Sequence, residues 1–215
     1  MTVFHPMTTE KPFVMGIGGG SGSGKSTIVK EILKQLGTEK VSVIQHDSYY
    51  KNRPELSFEE RTRINFDHPD SLETNLLIEH LNLLISGKNV EIPVFHHFTK
   101  YLRDSSTKKV ESRPILIVEG ILVFNDKELR DLMNLKVFID VPPDLRFIRR
   151  LKRELSVHGR SVESVTKQYL ATIRTMHDEY VEPSKIYADL FIPGGGHNLQ
   201  AVKLLQELLQ TLPAK

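Results

Sequence analysis

The sequence predicts an α/β domain with a doubly wound parallel sheet of about five strands flanked by helices. Five short apolar runs recur along the chain, at residues 13–18, 41–45, 115–120, 136–141 and 189–193. Nearly continuous apolar character is typical of strands covered on both faces, as in a parallel sheet. Between these runs, leucine, isoleucine and valine recur at helical spacing. Alternating strands and helices therefore indicate one α/β domain over residues 13–215.

Length and composition exclude several classes of protein. The chain has 215 residues, of which 39% are hydrophobic, enough for one sizeable core. Its net charge of +2 gives no global sign of a nucleic-acid or membrane partner. Without cysteine, disulfides, thiolate zinc sites and cysteine nucleophiles are excluded. No apolar run is long enough to span a membrane, so we expect a cytoplasmic protein, with disorder in the polar residues 1–12.

A glycine-rich loop follows the first predicted strand. It reads GIGGGSGSGKST, within which Gly19, Gly24, Lys25 and Ser26 fit the pattern G-x-x-x-x-G-K-[ST]. In this pattern backbone N–H groups wrap a polyphosphate, the lysine reaches the outer phosphates and the hydroxyl ligates Mg²⁺. The predicted nucleotide-binding residues are Gly19, Gly20, Ser21, Gly22, Ser23, Gly24, Lys25, Ser26 and Thr27. A flexible Gly/Ser linker is disfavoured because a strand pattern precedes the loop and a helical pattern follows it.

The middle of the chain departs from strict strand–helix alternation. A capping box at Asp70 and Glu73 is predicted to start a helix that contains three leucines. Residues 88–98 and 107–112 then resemble the two arms of a β-hairpin. We expect an insertion over residues 88–112, beside the site. Further helical patterns cover residues 145–155, 162–180 and 199–209.

Two acidic residues follow predicted strands. Ligands collect at the carboxyl ends of strands in an open α/β sheet. Asp47, after the second strand, is our candidate for the base that accepts a proton from an attacking hydroxyl; the alternative is a cap of the next turn. Glu119, after the third strand of the sheet, is the candidate for holding Mg²⁺ together with Ser26. The alternative, an exposed strand-end carboxylate, is disfavoured by its apolar neighbours.

A stripe of arginines precedes a glycine near the end of a helical pattern. The stripe consists of Arg146, Arg149, Arg150 and Arg153, and Gly159 and Arg160 follow it. A helical lid over residues 144–180 could close such cations over transferring phosphates. The other interpretation is a solvated helix face.

Together these motifs resemble the uridine–cytidine kinase family, relatives of phosphoribulokinase among the P-loop kinases. Besides the glycine-rich loop, the motifs read HDSYY, SFEERTRINFDHPDS, VEGILVF, RFIRRLKRELSVHGRSVESVTKQY and YVEPSKIYADLFIP. The resemblance covers about residues 13–205. It implies transfer of the γ-phosphate of ATP or GTP, with Mg²⁺, to the 5′-hydroxyl of a pyrimidine ribonucleoside. It also implies a homo-tetramer.

The resemblance assigns roles to individual residues. Lys25 and Asp47 would be catalytic, with Asp47 as the base, and Asp67 would bind the ribose hydroxyls. A carboxylate suits that role because it can accept both donors of a vicinal diol. The remaining assignments are Tyr50 and Phe66 against the nucleoside, Arg150, Arg160 and Gln168 where the lid closes on it, and Arg153 at the phosphates.

Three departures from the family pattern bear on specificity. His158 stands in place of a lid arginine, and Gly194 in place of an arginine near the nucleotide base, so we expect altered donor affinity with catalysis retained. In the hairpin, PVFHHFTKYLR replaces the usual PVYDFxxHxR. An ungapped alignment puts Phe95 at the family's tyrosine and Lys100 at its histidine.

An alignment with one inserted residue instead puts Tyr101 at the position of the family's histidine. We prefer it because it keeps both Phe98 and Arg103 and because a one-residue bulge is readily accommodated at a hairpin's edge. Phe95 and Tyr101 are therefore added to the predicted nucleoside-binding residues. Both alignments leave the histidine position without a histidine. We expect a shifted balance between uridine and cytidine.

Two other functions remain open from the sequence. The first is a P-loop kinase of another small alcohol, such as a sugar phosphate or pantothenate, which the segment NFDHPDS disfavours. The second is a nucleotide-binding regulatory protein without turnover. Asp47 argues against it, since a pure binder needs no base beside Lys25.

Overall fold

A five-stranded parallel sheet forms the centre of the molecule. The computed structural model describes residues 11–97 and 99–212. The strands of this sheet are β1 (Phe13–Gly18), β2 (Val41–Gln45), β5 (Ile115–Glu119), β6 (Leu135–Asp140) and β7 (Leu190–Pro193), in the order β2-β5-β1-β6-β7. All four pairings are parallel. The predicted α/β fold is confirmed; the predicted disorder of residues 1–12 falls largely on 1–10, outside the described residues.

Helices cover both faces of the sheet. They are α1 (Lys25–Leu36), α2 (Phe58–Thr62), α3 (Thr74–Ile85), α4 (Lys127–Asp131), α5 (Pro143–His158), α6 (Val162–Gln168), α7 (Arg174–Met176) and α8 (Leu199–Gln210). Along β1, Val14 joins the hydrophobic core on the α3 side, whereas Met15 and Ile17 join the core on the side of α1 and α8. Because successive side chains of a strand point to opposite faces, β1 contributes to both cores. This explains its continuous apolar sequence.

The hairpin is formed by β3 (Val90–His96) and β4 (Leu102–Val110), which pair antiparallel. Pro93 pairs with Thr107 and Phe95 with Arg103, so three residues of β4 lie opposite one residue of β3. The second arm thus begins at Leu102, earlier than the predicted residue 107. Most of β4 is polar and exposed, so its first residues lack the apolar pattern by which a strand is predicted from sequence.

The predicted capping box at the start of α3 is wrong. Asp70 lies in a separate 3₁₀ turn, Pro69–Ser71, and Glu73 caps α3 without a side-chain hydrogen bond. The Glu73 carboxylate instead pairs with Arg103 of β4, 2.7 Å away. The Glu73 side chain therefore forms a tertiary ion pair with Arg103 instead of the local hydrogen bond of a capping box.

Helical structure continues from α6 to residue 187 with irregular turns. Two π-helical segments, Tyr169–Ile173 and His177–Val181, flank α7, and a 3₁₀ segment, Pro183–Tyr187, follows them. Two more 3₁₀ turns, His46–Tyr49 and Gly195–His197, follow β2 and β7. Among the described residues, no helix is both long and apolar enough to cross a membrane.

Candidate active site

A cleft of about 700 Å³ lies at the carboxyl ends of β1, β2 and β5. The predicted site residues that line it are Ser21, Gly22, Gly24, Lys25, Ser26, Thr27, Asp47, Tyr50, Phe66, Asp67, Tyr101, Glu119, Arg150, Arg153, Arg160 and Gln168. Gly19, Gly20, Ser23 and Phe95 are buried behind this surface. Residues from six separate parts of the sequence therefore meet in one cavity.

The loop between β1 and α1 requires glycine at several positions. Gly19, Gly22 and Gly24 have positive φ angles of 135°, 81° and 98°. Side chains rarely adopt such backbone angles, and a Cβ on Gly22 would also collide with the Arg146 carbonyl. A second glycine turn, at residues 194–196, packs against this loop, since a Cβ on Gly195 would strike the Ser23 carbonyl. The loop therefore packs too closely against neighbouring backbone to allow a side chain at Gly22 or Gly195.

Lys25 is buried at the first turn of α1. Its ammonium donates hydrogen bonds to the carbonyls of Gly19, at 2.9 Å, and Gly20, at 3.2 Å. Burial lowers the pKa of Lys25, while the nearby carboxylates of Glu119 and Asp47 oppose that shift. The lysine is therefore held against its own loop, where it can exchange carbonyl oxygens for phosphate oxygens.

Ser26 and Glu119 meet across the cleft floor. The Ser26 hydroxyl lies 3.0 and 3.2 Å from the two carboxylate oxygens of Glu119, and Gln45 donates to the same carboxylate at 3.1 Å. Glu119 is only 4% exposed, so it is not the solvated strand-end carboxylate of the alternative interpretation. The described residues contain no group of three or more His, Cys, Asp or Glu side chains that could hold a metal. A hydroxyl and one carboxylate fit Mg²⁺, which keeps water and phosphate oxygens as its other ligands.

Asp47 lies in the 3₁₀ turn that follows β2. It lines the cleft within electrostatic reach of Lys25, Tyr50 and Asp67. The N-cap residue of that turn is Gln45, so Asp47 does not cap it. The carboxylate therefore faces the cavity between Asp67 and the glycine-rich loop of residues 19–27, which we call the phosphate loop.

Asp67 and Arg150 both line the cleft and lie within electrostatic reach of each other. Burial raises the pKa of Asp67, and the Arg150 guanidinium opposes the rise. Arg150 donates to the Ser21 hydroxyl at 2.8 Å and lies 3.4 Å from the Gln168 amide oxygen, which also accepts from Arg160 at 2.7 Å. Arg150 therefore links the phosphate loop to α6.

Aromatic rings form one wall of the cleft. Tyr50 contacts Phe66 edge-on at 5.0 Å between ring centroids, and Phe66 stacks on Tyr101 at 5.6 Å. Phe95 packs behind them, 5.3 Å from Tyr50 and 5.8 Å from Phe66, so the structure places it in the wall rather than on its surface. Tyr101 has a positive φ of 51°, and such backbone angles in non-glycine residues cluster at ligand sites.

The arginine stripe divides between the cleft and the core. Arg150 and Arg153 line the cleft, together with Arg149, but Arg146 is only 5% exposed and donates to the Val141 carbonyl at 3.0 Å. Arg146 packs behind the glycine loop, where a Cβ on Gly20 would lie 2.5 Å from its guanidinium. The expectation that all four arginines share one lid face is therefore wrong for Arg146.

Several cleft residues escaped the sequence prediction. Glu154 is fully buried and pairs with Arg153 at 3.2 Å and with Arg160 at 3.4 Å. His97 lines the cleft beside Tyr50, with 5.5 Å between ring centroids. The only available signal was position: Glu154 follows the arginine stripe, and His97 is the second of two histidines in the hairpin.

Comparison with known proteins agrees with this geometry. A model of the phosphoribulokinase/uridine kinase family matches residues 14–201. The chain belongs to this family. Among members of the family, the uridine kinase of Chloroflexus aggregans is 48% identical over 194 residues, which are 90% of this chain and 92% of that protein. The uridine kinase of Streptococcus thermophilus is 45% identical over 196 residues, 91% of this chain and 92% of that protein.

The phosphoribulokinase/uridine kinase fold also extends to distant solved structures. Phosphoribulokinase from Rhodobacter spheroides superposes with a TM-score of 0.64 at 17% identity, over 85% of this chain and 70% of that chain. At this identity the likeness shows the fold alone. It supports the parallel sheet flanked by helices as a fold that the two proteins share.

Proposed function

We propose that the protein is a nucleoside kinase that transfers the γ-phosphate of ATP or GTP to the 5′-hydroxyl of uridine or cytidine. Two lines of support meet. Curated relatives at 45% and 48% identity over most of the chain are uridine kinases. The observation that carries the proposal is that Asp47 faces the same cleft as Lys25 and Asp67. A phosphate loop, a base and a diol-binding carboxylate are the parts that phosphoryl transfer to a ribonucleoside needs.

At the phosphate end, backbone N–H groups and Lys25 neutralise the transferring group. Gly22 and Gly24 of the loop line the cleft without side chains, and the Lys25 ammonium already donates to the Gly19 and Gly20 carbonyls. Arg150 and Arg153 add positive charge from α5, and their guanidinium groups can hold phosphate oxygens at fixed geometry. Mg²⁺ held by Ser26 and Glu119 would supply further neutralisation of the phosphate oxygens.

At the acceptor end, Asp67 accepts hydrogen bonds from the two ribose hydroxyls. This fixes the sugar so that its 5′-oxygen lies toward Asp47 and the phosphate loop. Asp47 then orients this hydroxyl and accepts its proton as the new bond to phosphorus forms. Tyr50 and Phe66 exclude water around the sugar and base.

The remaining features of the proposal concern assembly and location. On the family resemblance we expect a homo-tetramer that acts in the cytoplasm on a small-molecule acceptor. Light scattering of the purified protein tests the tetramer directly.

An acceptor panel tests the proposed reaction. ADP release is measured with ATP and Mg²⁺ against uridine, cytidine, their 2′-deoxy forms, ribulose 5-phosphate and pantothenate. We expect turnover with the two ribonucleosides and weak turnover with the deoxy forms, because they lack one donor to Asp67. Preference for ribulose 5-phosphate or pantothenate would contradict the proposal, and no turnover with any acceptor would favour a regulatory protein.

A further inference from the structure

The loop that carries Asp67 is braced by its own hydrogen bonds. The Asn65 side chain accepts from the Asp67 backbone N–H at 3.2 Å. The Ser71 hydroxyl lies 3.2 Å from the Phe66 carbonyl and 2.6 Å from the His68 carbonyl, to which it donates. These three contacts shape the loop, but none of them reaches the Asp67 carboxylate. The orientation of that carboxylate therefore depends on how the loop is held against the rest of the molecule.

His68, the residue after Asp67, makes two hydrogen bonds that decide where its proton lies. Its Nδ1 accepts from the backbone N–H of Asp70 at 3.1 Å. A backbone N–H can only donate, so the neutral imidazole carries its proton on Nε2. Nε2 lies 3.0 Å from the Tyr180 hydroxyl, and the two rings meet edge-on with 5.0 Å between centroids. His68 therefore donates to the Tyr180 oxygen.

Tyr180 is well anchored for this contact. It lies in the π-helical segment His177–Val181, and its carbonyl accepts from the Asn125 side chain at 3.0 Å. The next residue, Val181, is buried in the hydrophobic core on the α3 side of the sheet. A hydrogen bond to the Glu179 carboxylate raises the pKa of Tyr180, so the hydroxyl proton is directed to Glu179. The hydroxyl oxygen is then left to accept from His68.

A ribose diol constrains Asp67 more than a single hydroxyl does. One hydrogen bond can be made by a carboxylate in many orientations, whereas two parallel hydrogen bonds require one orientation. The contact between His68 and Tyr180 restrains the loop at the residue next to Asp67. Its loss should therefore weaken the binding of a ribose more than that of a 2′-deoxyribose.

We propose that the Tyr180 hydroxyl is a positioning group that holds Asp67, through His68, in the orientation that accepts both ribose hydroxyls. The pair thereby contributes to the discrimination of ribonucleosides from 2′-deoxyribonucleosides. The inference rests on the proposed nucleoside kinase function. Neither His68 nor Tyr180 is among the described residues that line the cleft, so both act through Asp67.

Removal of one oxygen atom tests the inference. Tyr180→Phe keeps the ring and loses the acceptor of the His68 hydrogen bond. We measure kcat and KM for uridine, and the inhibition constant of 2′-deoxyuridine against uridine. The KM for uridine should rise about fivefold, as for the loss of one hydrogen bond between neutral groups. We expect kcat and the inhibition constant to stay as in wild type.

Two substitutions of His68 separate its two hydrogen bonds. His68→Asn keeps an acceptor near the position of Nδ1 but cannot reach Tyr180, so it should repeat the effect of Tyr180→Phe. The double variant should show no further loss, because both changes remove the same contact. His68→Gln keeps an amide donor near the position of Nε2 and should retain most of the wild-type preference for uridine.

A matched control removes a hydroxyl elsewhere on the same helical stretch. The Tyr187 ring lies against Arg130, with 3.7 Å from the guanidinium carbon to the ring centroid. Neither of these two residues lines the cleft. Tyr187→Phe should therefore match wild type with both nucleosides. Should Tyr180→Phe fail to fold by circular dichroism, His68→Asn provides the same test.

The outcomes separate this inference from the proposed function. Wild-type turnover of uridine, with an unchanged preference over 2′-deoxyuridine in Tyr180→Phe and His68→Asn, overturns the positioning role alone. Equal weakening of both nucleosides also overturns it, because the contact would then support the pocket and not the diol. Equal affinity of wild type for both nucleosides has the same consequence. Absence of wild-type turnover with uridine and cytidine overturns the function and this inference together.

Discussion

The two ends of the cleft are constructed in different ways. The phosphate end comes mainly from consecutive residues, 19–27, and presents backbone N–H groups whose positions follow from glycine φ angles. The acceptor end comes from separate segments that supply Tyr50, Asp67, Tyr101 and Gln168 as side chains. The first end depends on backbone conformation and tolerates few sequences. The second depends on side chains brought together by the fold, so its specificity can change while the chemistry stays.

This contrast predicts different kinetic effects at the two ends. Variants at the phosphate end should lower kcat for every acceptor, because the transferring group is the same for all. Variants at the acceptor end should raise KM for nucleosides with smaller effects on kcat.

Asp47 lies where the two ends meet, and its substitution should have the largest effect. Asp47→Asn removes the proton acceptor but keeps the side-chain shape, so we expect kcat to fall by about 10²–10⁴-fold with little change in nucleoside affinity. Steady-state kinetics and equilibrium binding of uridine measure the two quantities. Asp70→Asn, at an exposed position, is the control. A collapse of affinity with unchanged kcat would place Asp47 at the acceptor end instead.

Lys25→Met tests the phosphate end. We expect kcat to fall by about 10²–10³-fold for uridine and cytidine alike, since one preorganised charge on the transferring group is lost. Burial lowers the pKa of Lys25, so its protonated form is less favourable in the folded than in the unfolded protein at neutral pH. The thermal midpoint of the variant should therefore equal or exceed that of wild type. Retained turnover would refute the assignment of the loop.

Asp67→Asn tests the acceptor end. Loss of charged hydrogen bonds to the ribose should raise KM for uridine about 10²-fold. The pKa of Asp67 is raised by burial, so the folded protein binds its proton more tightly than the unfolded chain does, and ionisation at higher pH destabilises the fold. The variant should thus gain in thermal midpoint over wild type, and the gain should be larger at pH 8 than at pH 5. An equal gain at both pH values would contradict this account.

Glu154→Gln should have the smallest effect of the series. Its buried carboxylate holds Arg153 and Arg160, and a neutral amide should leave both less well fixed. We expect kcat/KM to fall about tenfold, as for the loss of one charge-assisted hydrogen bond. The exposed Glu163→Gln on α6 is the matched control. Equal kinetics for the two variants would show that Glu154 does not position these arginines.

The parts that could be predicted from sequence are those fixed by local physics. The five strands could be predicted from their apolar runs. The phosphate loop could be predicted because its glycines are required by the positive φ angles of the loop backbone. The capping box at Glu73 failed because Arg103, distant in sequence, pairs with that carboxylate. The prediction for Arg146 was wrong because helical spacing shows which residues share a face of α5, but not which other parts of the chain pack against that face.

His97 and Glu154 could not have been assigned without the fold. A histidine in a polar hairpin and a glutamate after an arginine stripe have many ordinary explanations. Their significance arises from contacts with Tyr50 and with Arg160, which depend on how the hairpin and α5 pack on the sheet. Long-range packing of side chains leaves little trace in a single sequence.

The central position of β1 in the sheet has a consequence for how the protein folds during its synthesis. This strand leads into the glycine loop and is made first, yet its partners β5 and β6 begin only at Ile115 and Leu135. The glycine turn at residues 194–196, which packs on the loop, follows later still. A nascent chain on the ribosome therefore carries an unformed ATP pocket until almost all of the domain has emerged. Nucleotide can stabilise the finished enzyme, but it cannot guide the early stages of folding.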